Sequence, residues 1–252
     1  MGNSKGVKMK YKRILIIEPH PDDMILMSGG LVARAMQEGA EVYVLTLTTG
    51  GGAASKQDKD AAMATQRTLE SRIADKILGI VSGEEFVHGI QTGELVKRTI
   101  LGYGTRKLND NQSVVYNDVL KEIRTIKPDL IITTQNDHKH PDHRYIAENI
   151  EEIVYQAGEN IRVEELGEPV KANLWFGENP RSQLKNENLN YIDISDTLDL
   201  KLGALAAQES QIPVLGKEIF NDVRDLAKYR GMRSGAEYAE AFKEIKVYKD
   251  ST

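Results

Sequence analysis

The chain has 252 residues, of which 40% are hydrophobic and 28% are charged, and its formal net charge is -5 at pH 7. A chain of this length and composition can fold around a full core, and its negative charge argues against nucleic acid as the main partner. It contains no cysteine, which excludes disulfides and excludes thiolates as nucleophiles or metal ligands. Any metal must therefore be bound by imidazole, carboxylate or carbonyl groups.

The segment 1–12 is basic and lacks the apolar stretch of a secretory signal. No apolar run in the chain approaches the roughly 18 residues of a membrane span. The sequence also contains no repeat, no low-complexity tract and no linker rich in proline, glycine or serine. We therefore expect a flexible tail at 1–12, one domain at 13–250, no membrane span and a cytoplasmic location.

Predicted strands alternate with predicted helices. The predicted strands are 13–18, 41–48, 85–90, 129–134, 172–176 and 245–248. The predicted helices are 26–37, 60–78, 114–126, 141–156, 197–208, 217–229 and 236–242. The polar, glycine-bearing segment 91–111 is expected to be a covering loop. This alternation predicts an α/β fold with a mostly parallel sheet.

Four of the five histidines lie in two short clusters. His20 belongs to a His-Pro-Asp-Asp motif, and His138, His140 and His143 lie close together around a second Pro-Asp pair. Each cluster follows a predicted apolar strand, at 13–18 or at 129–134. In open α/β sheets the functional crevice lies beyond the carboxyl ends of the strands. If the strand order is the doubly wound one, these two strands are neighbours and the clusters face each other.

The clusters contain the groups of a catalytic metal site. His20, Asp23 and His143 would form a set of two histidines and one carboxylate, which suits catalytic Zn(II) and also non-haem Fe(II). Asp22 is then a natural general base. Asp142 could orient His140, which could stabilise an oxyanion or pass on a proton.

Simpler interpretations exist for several of these residues. Asp22 and Asp142 both stand near a helix start, where a carboxylate interacts favourably with the helix dipole, and each could serve both purposes. His88 stands alone and is interpreted as a structural histidine. The glycines at 50–52 match no nucleotide-binding pattern, because they follow the second strand without a Gly-x-Gly-x-x-Gly or P-loop motif.

The motifs at 19–23, with Gly29-Gly30 following, and at 140–144 resemble the paired motifs of the LmbE-like (PIG-L) N-acetylglucosamine deacetylase family. The segments 67–70, 191–211 and 235–242 are also similar to the family pattern, so the resemblance extends from about Arg13 to Phe242. Many members have a glutamate where this chain has Met24, and a histidine where it has Gln208.

The resemblance implies a Rossmann-like three-layer sandwich with the active site at the carboxyl ends of strands one and four. It implies a Zn-dependent hydrolase of linear amide bonds, in which a metal-bound water attacks the acetyl group of an N-acetylglucosamine-type sugar conjugate. Homo-oligomers are common in the family. The residues that match are the metal ligands His20, Asp23 and His143, the general base Asp22, the oxyanion-stabilising His140 with its partner Asp142, and a substrate contact at Arg67.

Two alternatives to the deacetylase remain open. One is a non-haem iron enzyme built on the same three ligands, although such enzymes usually have β-barrel folds. The other is a catalytically altered, sugar-binding relative, against which the retention of Asp22 and of all three ligands argues. The sequence does not name the sugar or its aglycone.

Overall fold

A seven-stranded sheet forms the centre of the computed structural model, which describes residues 9–52, 57–80, 97–135, 139–185 and 187–248. The strands are β1 Arg13–Glu18, β2 Glu41–Thr48, β3 Arg98–Tyr103, β4 Leu130–Thr134, β5 Asn173–Gly177, β6 Leu189–Asp193 and β7 Ala239–Ile245. The helices are α1 Asp23–Gln37, α2 Gln57–Leu78, α3 Gln112–Ile126, α4 Pro141–Ala157, α5 Val163–Leu166, α6 Leu198–Ala206, α7 Ile212–Leu215 and α8 Ile219–Ser234.

The strand order is β3-β2-β1-β4-β5-β7-β6. The first five strands are parallel, whereas β7 is antiparallel to both of its neighbours. The predicted mostly parallel α/β sheet is therefore confirmed. Because β1 and β4 are neighbours, their carboxyl ends bring the two histidine clusters to the same edge of the sheet.

Two hydrophobic cores, one on each face, make the fold a three-layer sandwich. Along β1, Ile14 and Ile16 pack with α1, α2, α6 and α8, whereas Leu15 and Ile17 pack with α3 and α4. Side chains alternate between the faces of a strand, so a strand covered on both faces must be apolar throughout. This explains the continuous apolar run that made β1 easy to predict.

The sequence-based element boundaries need three corrections. The third described strand is Arg98–Tyr103, inside the segment expected to be a loop, and the predicted strand at 85–90 lies outside the described residues. The predicted helix at 236–242 is wrong, because β7 occupies Ala239–Ile245. The predicted last strand at 245–248 shares only Ile245 with β7. The Ala-Glu-Ala composition favours a helix locally, but pairing with β5 and β6 overrides that preference.

Residues 9–12, which were expected to belong to a flexible tail, pack against the domain. Tyr11 is buried and meets Trp175 edge to face, with 5.3 Å between the ring centroids. The backbone N–H of Lys12 donates to Asp129 Oδ2 at 2.8 Å. Among the described segments, no helix combines the length and the apolarity needed to cross a bilayer.

Side chains from late in the chain bind the backbone of α1, the helix that begins at Asp23. Lys201 Nζ donates to the Leu26 carbonyl at 2.9 Å, and Glu240 accepts from the amides of Gly30 at 2.9 Å and Leu31 at 2.7 Å. Lys201 and Glu240 are both buried and form an ion pair at 2.6 Å. Helix α1 is thereby fixed from α6 and from β7.

Candidate active site

The turn after β1 and the first turn of α4 form the centre of the site. The backbone N–H of Asp23 donates to the His20 carbonyl at 3.2 Å, which closes the turn and starts α1. On the neighbouring strand, His140 caps the N-terminus of α4, and Pro141 opens that helix. Proline fits the first turn of a helix because its missing N–H has no partner there in any case. Both His-Pro motifs therefore act as helix starts.

Three ligand-type atoms form a nearly equilateral triangle. His20 Nδ1 lies 3.2 Å from Asp23 Oδ2 and 3.2 Å from His143 Nε2, and the third edge, from His143 Nε2 to Asp23 Oδ2, is 3.1 Å. Ligands bound tetrahedrally to Zn(II) at about 2.0 to 2.1 Å would lie about 3.3 Å apart. The three side chains are buried, and their spacing and donor types fit a divalent transition metal such as Zn(II).

The carboxylate of Asp142 lies closer to His20 than to His140, whereas the expected pairing was with His140. Its Oδ2 lies 3.1 Å from His20 Nε2 but 3.8 Å from His140 Nδ1. The backbone N–H of Arg106 also donates to Asp142 Oδ2, at 2.8 Å. When His20 Nε2 carries the proton that bonds Asp142, the lone pair of Nδ1 points at the triangle. Such an outer carboxylate commonly orients a metal-binding histidine.

The surroundings of the triangle favour the protonated form of His20 and the ionised form of Asp23. Burial lowers the pKa of His20, but hydrogen bonds to Asp142 and Asp23 outweigh it and raise the pKa to about 9. Burial likewise opposes ionisation of Asp23, but the charges of and hydrogen bonds from His143 and His20 hold its pKa well below the ordinary value. An ionised carboxylate therefore lies between the two imidazoles, and a bound metal would have to displace the proton that the raised pKa keeps on His20.

His140 lies at the rim of the triangle. Its ring centroid is 4.5 Å from that of His20 and 5.4 Å from that of His143, and nitrogens of these three residues lie within 4.8 Å of one another. Burial, followed by the charge of His20, lowers the pKa of His140 to about 4. Its Nδ1 accepts the backbone N–H of Asp142 at 3.2 Å. A neutral ring that accepts at Nδ1 carries its proton on Nε2, so His140 is a hydrogen-bond donor.

Arg67 holds Asp22. A guanidinium nitrogen of Arg67 donates to Asp22 Oδ1 at 2.5 Å, and a second donates to the Gly50 carbonyl at 2.9 Å. Gly50 has a φ of +66°, and a Cβ added there would lie 2.6 Å from the guanidinium. Glycine is therefore needed at this position both for the backbone conformation and for the close approach of Arg67.

Ion pairs that sequence reasoning missed hold the loops around this centre. Glu18, at the end of β1, pairs with Arg98 and accepts the Met24 amide at 2.8 Å, and Arg98 also pairs with Asp75 at 2.6 Å. The sequence signal for this network is a lone glutamate that ends the apolar run of β1. It ties β3 and α2 to the turn that carries the candidate ligands.

Two further carboxylates hold the opposite wall. Glu178, after β5, forms a buried pair with Arg230 at 2.6 Å and accepts the Leu184 amide at 2.7 Å. Glu70 accepts both the amide and the hydroxyl of Ser210, at 2.9 and 2.6 Å. Within the described chain, the side-chain amide of the fully buried Gln208 makes no hydrogen bond. His138 and His88 lie outside the described residues.

These elements enclose a cavity of about 820 Å³. Clefts of about 300 to 1,000 Å³ are typical of small-molecule sites. The cavity contains all the expected site residues except Asp142, which lies behind His20. The described residues that line it are His20, Asp22, Asp23, Leu26, Gly50, Gly52, Met63, Arg67, Thr105, Arg106, Lys139, His140, His143, Asn179, Pro180, Arg181, Ser210, Gln211, Val214, Leu215 and Ile219.

Comparison with known proteins identifies the family. The chain is 28% identical over 246 residues to diacetylchitobiose deacetylase from Thermococcus kodakarensis, covering 93% of this chain and 83% of that protein. It is 27% identical over 207 residues, covering 75% and 68%, to a 1D-myo-inositol 2-acetamido-2-deoxy-alpha-D-glucopyranoside deacetylase from Rhodococcus jostii.

The fold is also found among solved structures. N,N'-diacetylchitobiose deacetylase from Pyrococcus horikoshii matches with a TM-score of 0.76 at 24% identity, covering 94% of this chain and 85% of that one. The family model described as PIG-L, GlcNAc-PI de-N-acetylase, matches residues 15–154. That range contains both histidine motifs and more than half of the chain, and the chain therefore belongs to the PIG-L (LmbE-like) family.

Proposed function

We propose that this protein is a Zn-dependent hydrolase that removes the acetyl group from an N-acetylglucosamine-type sugar conjugate. The observation that carries the proposal is the triangle of His20 Nδ1, Asp23 Oδ2 and His143 Nε2, with edges of 3.1 to 3.2 Å at the wall of a large cavity. The deacetylase activity named for its relatives supports the reaction type. We assign these three residues as the metal ligands, with Asp142 orienting His20.

A bound Zn(II) ion would polarise the acetamide carbonyl and lower the pKa of a bound water. Asp22 lies next to the ligand Asp23 and faces the same cavity, so it is placed to take a proton from the attacking water. Its Oδ1 is bound by Arg67, which leaves Oδ2 for that proton. We therefore assign Arg67 to positioning Asp22 rather than to direct substrate binding.

His140 completes the assignment. It is neutral near pH 7 and carries its proton on Nε2, so it can donate a hydrogen bond to the oxygen that becomes negative as the amide is attacked. Preorganised donors of this kind commonly lower the barrier by a few kcal/mol. After attack, Asp22 can give the proton it took from the water to the leaving amine, which returns Asp22 to its ionised state.

The test is acetate release from a panel of N-acetylated glycosides that includes N,N'-diacetylchitobiose and the N-acetylglucosaminyl inositol conjugate. We expect release that a chelator abolishes and added Zn(II) restores. Asp22→Asn tests the general base, because it keeps the shape of the side chain and removes the carboxylate that accepts the proton. It should keep its metal content and lose about 10²- to 10⁴-fold in rate.

Measurements of metal content, oxygen consumption and sugar binding on the same protein and panel separate the alternatives. Bound iron with substrate-dependent oxygen consumption and no acetate would favour the non-haem iron enzyme. Sugar binding by the metal-loaded protein without release of acetate would favour the catalytically altered relative. Homo-oligomerisation, which the family resemblance supports, and the cytoplasmic location expected from the sequence are further parts of the proposal. Light scattering tests the first and cell fractionation the second.

A further inference from the structure

The charges that line the cavity are distributed unevenly. Of its described lining residues, only Asp22 and Asp23 are acidic, and both are already balanced at the centre, by Arg67 and by the two ligand histidines. The remaining ionic side chains of the lining, Arg106, Lys139 and Arg181, are all basic. This positive wall belongs to a chain whose formal net charge is -5. A cleft lined by one sign of charge concentrates ligands of the opposite sign.

Arg106 comes from the loop after β3. Its backbone is held in the left-handed region, with a φ of 66°, and its N–H donates to Asp142 at 2.8 Å. This conformation is unfavourable for a residue with a side chain, and such strain is retained where the surroundings impose it, often at functional sites. Arg106 is an exposed residue of the cavity lining, and among the described residues no acid forms an ion pair with its guanidinium.

Arg181 comes from the segment after β5. Its backbone N–H donates to Asn179 Oδ1 at 2.9 Å, and its guanidinium donates to the Leu215 carbonyl. Neither partner is charged, so these contacts do not neutralise the guanidinium. The pair of Glu178 and Arg230 fixes the base of this segment. Among the residues described, no carboxylate lies within ion-pair distance of Arg181, which is an exposed residue of the cavity lining.

We propose that the substrate carries an anionic group, a carboxylate or a phosphate, outside the acetamide, and that Arg106 and Arg181 bind it. This inference rests on the proposed deacetylase function, because the triangle fixes where the acetamide lies. Guanidinium groups bind carboxylates and phosphates through paired, charge-assisted hydrogen bonds. A neutral glycoside would offer neither guanidinium an anionic partner.

The test compares matched glycosides of N-acetylglucosamine. The 2-hydroxyethyl glycoside is neutral, the carboxymethyl glycoside carries a carboxylate in the same place, and the 1-phosphate and 6-phosphate carry a phosphate at either end of the ring. We expect kcat/KM for at least one anionic compound to exceed that of the neutral one by about tenfold or more, chiefly through KM. Whether the carboxymethyl glycoside or one of the phosphates has the higher kcat/KM shows which anionic group the site prefers.

Variants connect this preference to the two arginines. Arg106→Gln and Arg181→Gln should each reduce the ratio of anionic to neutral kcat/KM by about fivefold, and raising the salt concentration should reduce it in the parent protein. Arg224→Gln is the control, because it removes the same charge from an exposed position on α8 that does not line the cavity. It should leave the ratio unchanged.

Two results would overturn the inference: equal kcat/KM for the neutral and all anionic compounds, or an anion preference that survives in the Arg106→Gln/Arg181→Gln double variant. Binding of the same panel to the Zn-loaded protein, measured by calorimetry, gives a second readout. If no compound releases acetate, the proposed function fails, whereas the calorimetric ratio of anionic to neutral binding still decides whether the cavity selects an anion.

Discussion

Asp142 provides the sharpest test of how the candidate site is built. Its carboxylate lies 3.1 Å from His20 Nε2 but farther, 3.8 Å, from His140 Nδ1, and its side chain is 1% exposed. If Asp142 orients the ligand His20, then Asp142→Ala must weaken metal binding. If it served His140 instead, the same change would slow catalysis and leave the metal affinity intact.

The contact sets the size of the effect. A buried hydrogen bond to a charged group contributes about 1.5 to 3 kcal/mol. Loss of a carboxylate that orients a metal-binding histidine typically lowers metal affinity by about 10- to 100-fold, which corresponds to about 1.4 to 2.7 kcal/mol. The two ranges agree, so we expect the Kd for Zn(II) to rise by about 10- to 100-fold in Asp142→Ala. Asp142→Asn keeps an oxygen acceptor and should fall between the two proteins.

The assay is a competition titration of Zn(II) against a chromophoric chelator at constant pH, with circular dichroism to verify that each variant is folded. Asp118→Asn is a suitable control, because Asp118 bonds Tyr103 away from the triangle. A change of less than about threefold in the Kd of folded Asp142→Ala would refute the assignment. A loss of rate at saturating Zn(II) without a change in Kd would show that Asp142 acts through His140 instead of His20.

Three further predictions concern catalysis, stability and pH. His140→Ala should keep its Zn(II) and lose about 10²- to 10³-fold in kcat, the usual cost of one oxyanion donor, and an unchanged rate in the metal-loaded variant would exclude that role. Arg230→Met leaves Glu178 buried without its partner, so urea denaturation should show a loss of about 3 to 5 kcal/mol, and replacing both by Met should cost less than the single change. Burial, together with Glu152, raises the pKa of Tyr116 to about 12. The unfolded chain therefore loses this proton near pH 10 while the folded protein keeps it, so stability falls between about pH 10 and 12. Tyr116→Phe should make that fall less steep, and an unaltered slope would contradict the raised pKa.

The parts of the fold that local pattern determines could be predicted from the sequence. β1 and β4 are apolar throughout because both faces of the sheet are covered, and their ends carry the histidine motifs. β7 could not be predicted, because its alanines and glutamates favour a helix until β5 and β6 pair with it. Its Glu240 is an ordinary polar residue in the sequence and a buried partner of Lys201 in the fold.

The site shows the same division. Because each motif follows a predicted strand, the doubly wound strand order was enough to expect His20, Asp23 and His143 together. The partner of Asp142 was not predictable, because it depends on how β1 and β4 are registered: the His20 ring lies nearer its carboxylate than the neighbouring His140 does. Arg106 and Arg181 stand in loops without a motif, and only the folded chain brings them to one cavity.

The contacts that fix α1 also have a consequence for the order of events during synthesis. The Leu26 carbonyl finds its lysine 175 positions later, and the Gly30 amide finds its glutamate 210 positions later. Nascent chains grow at about 5 to 20 residues per second and tend to fold from the N-terminus. Here the helix that begins at Asp23 leaves the ribosome early and must wait for Lys201 and Glu240. We expect α1 to reach its final, fixed position only after residue 240 has been synthesised.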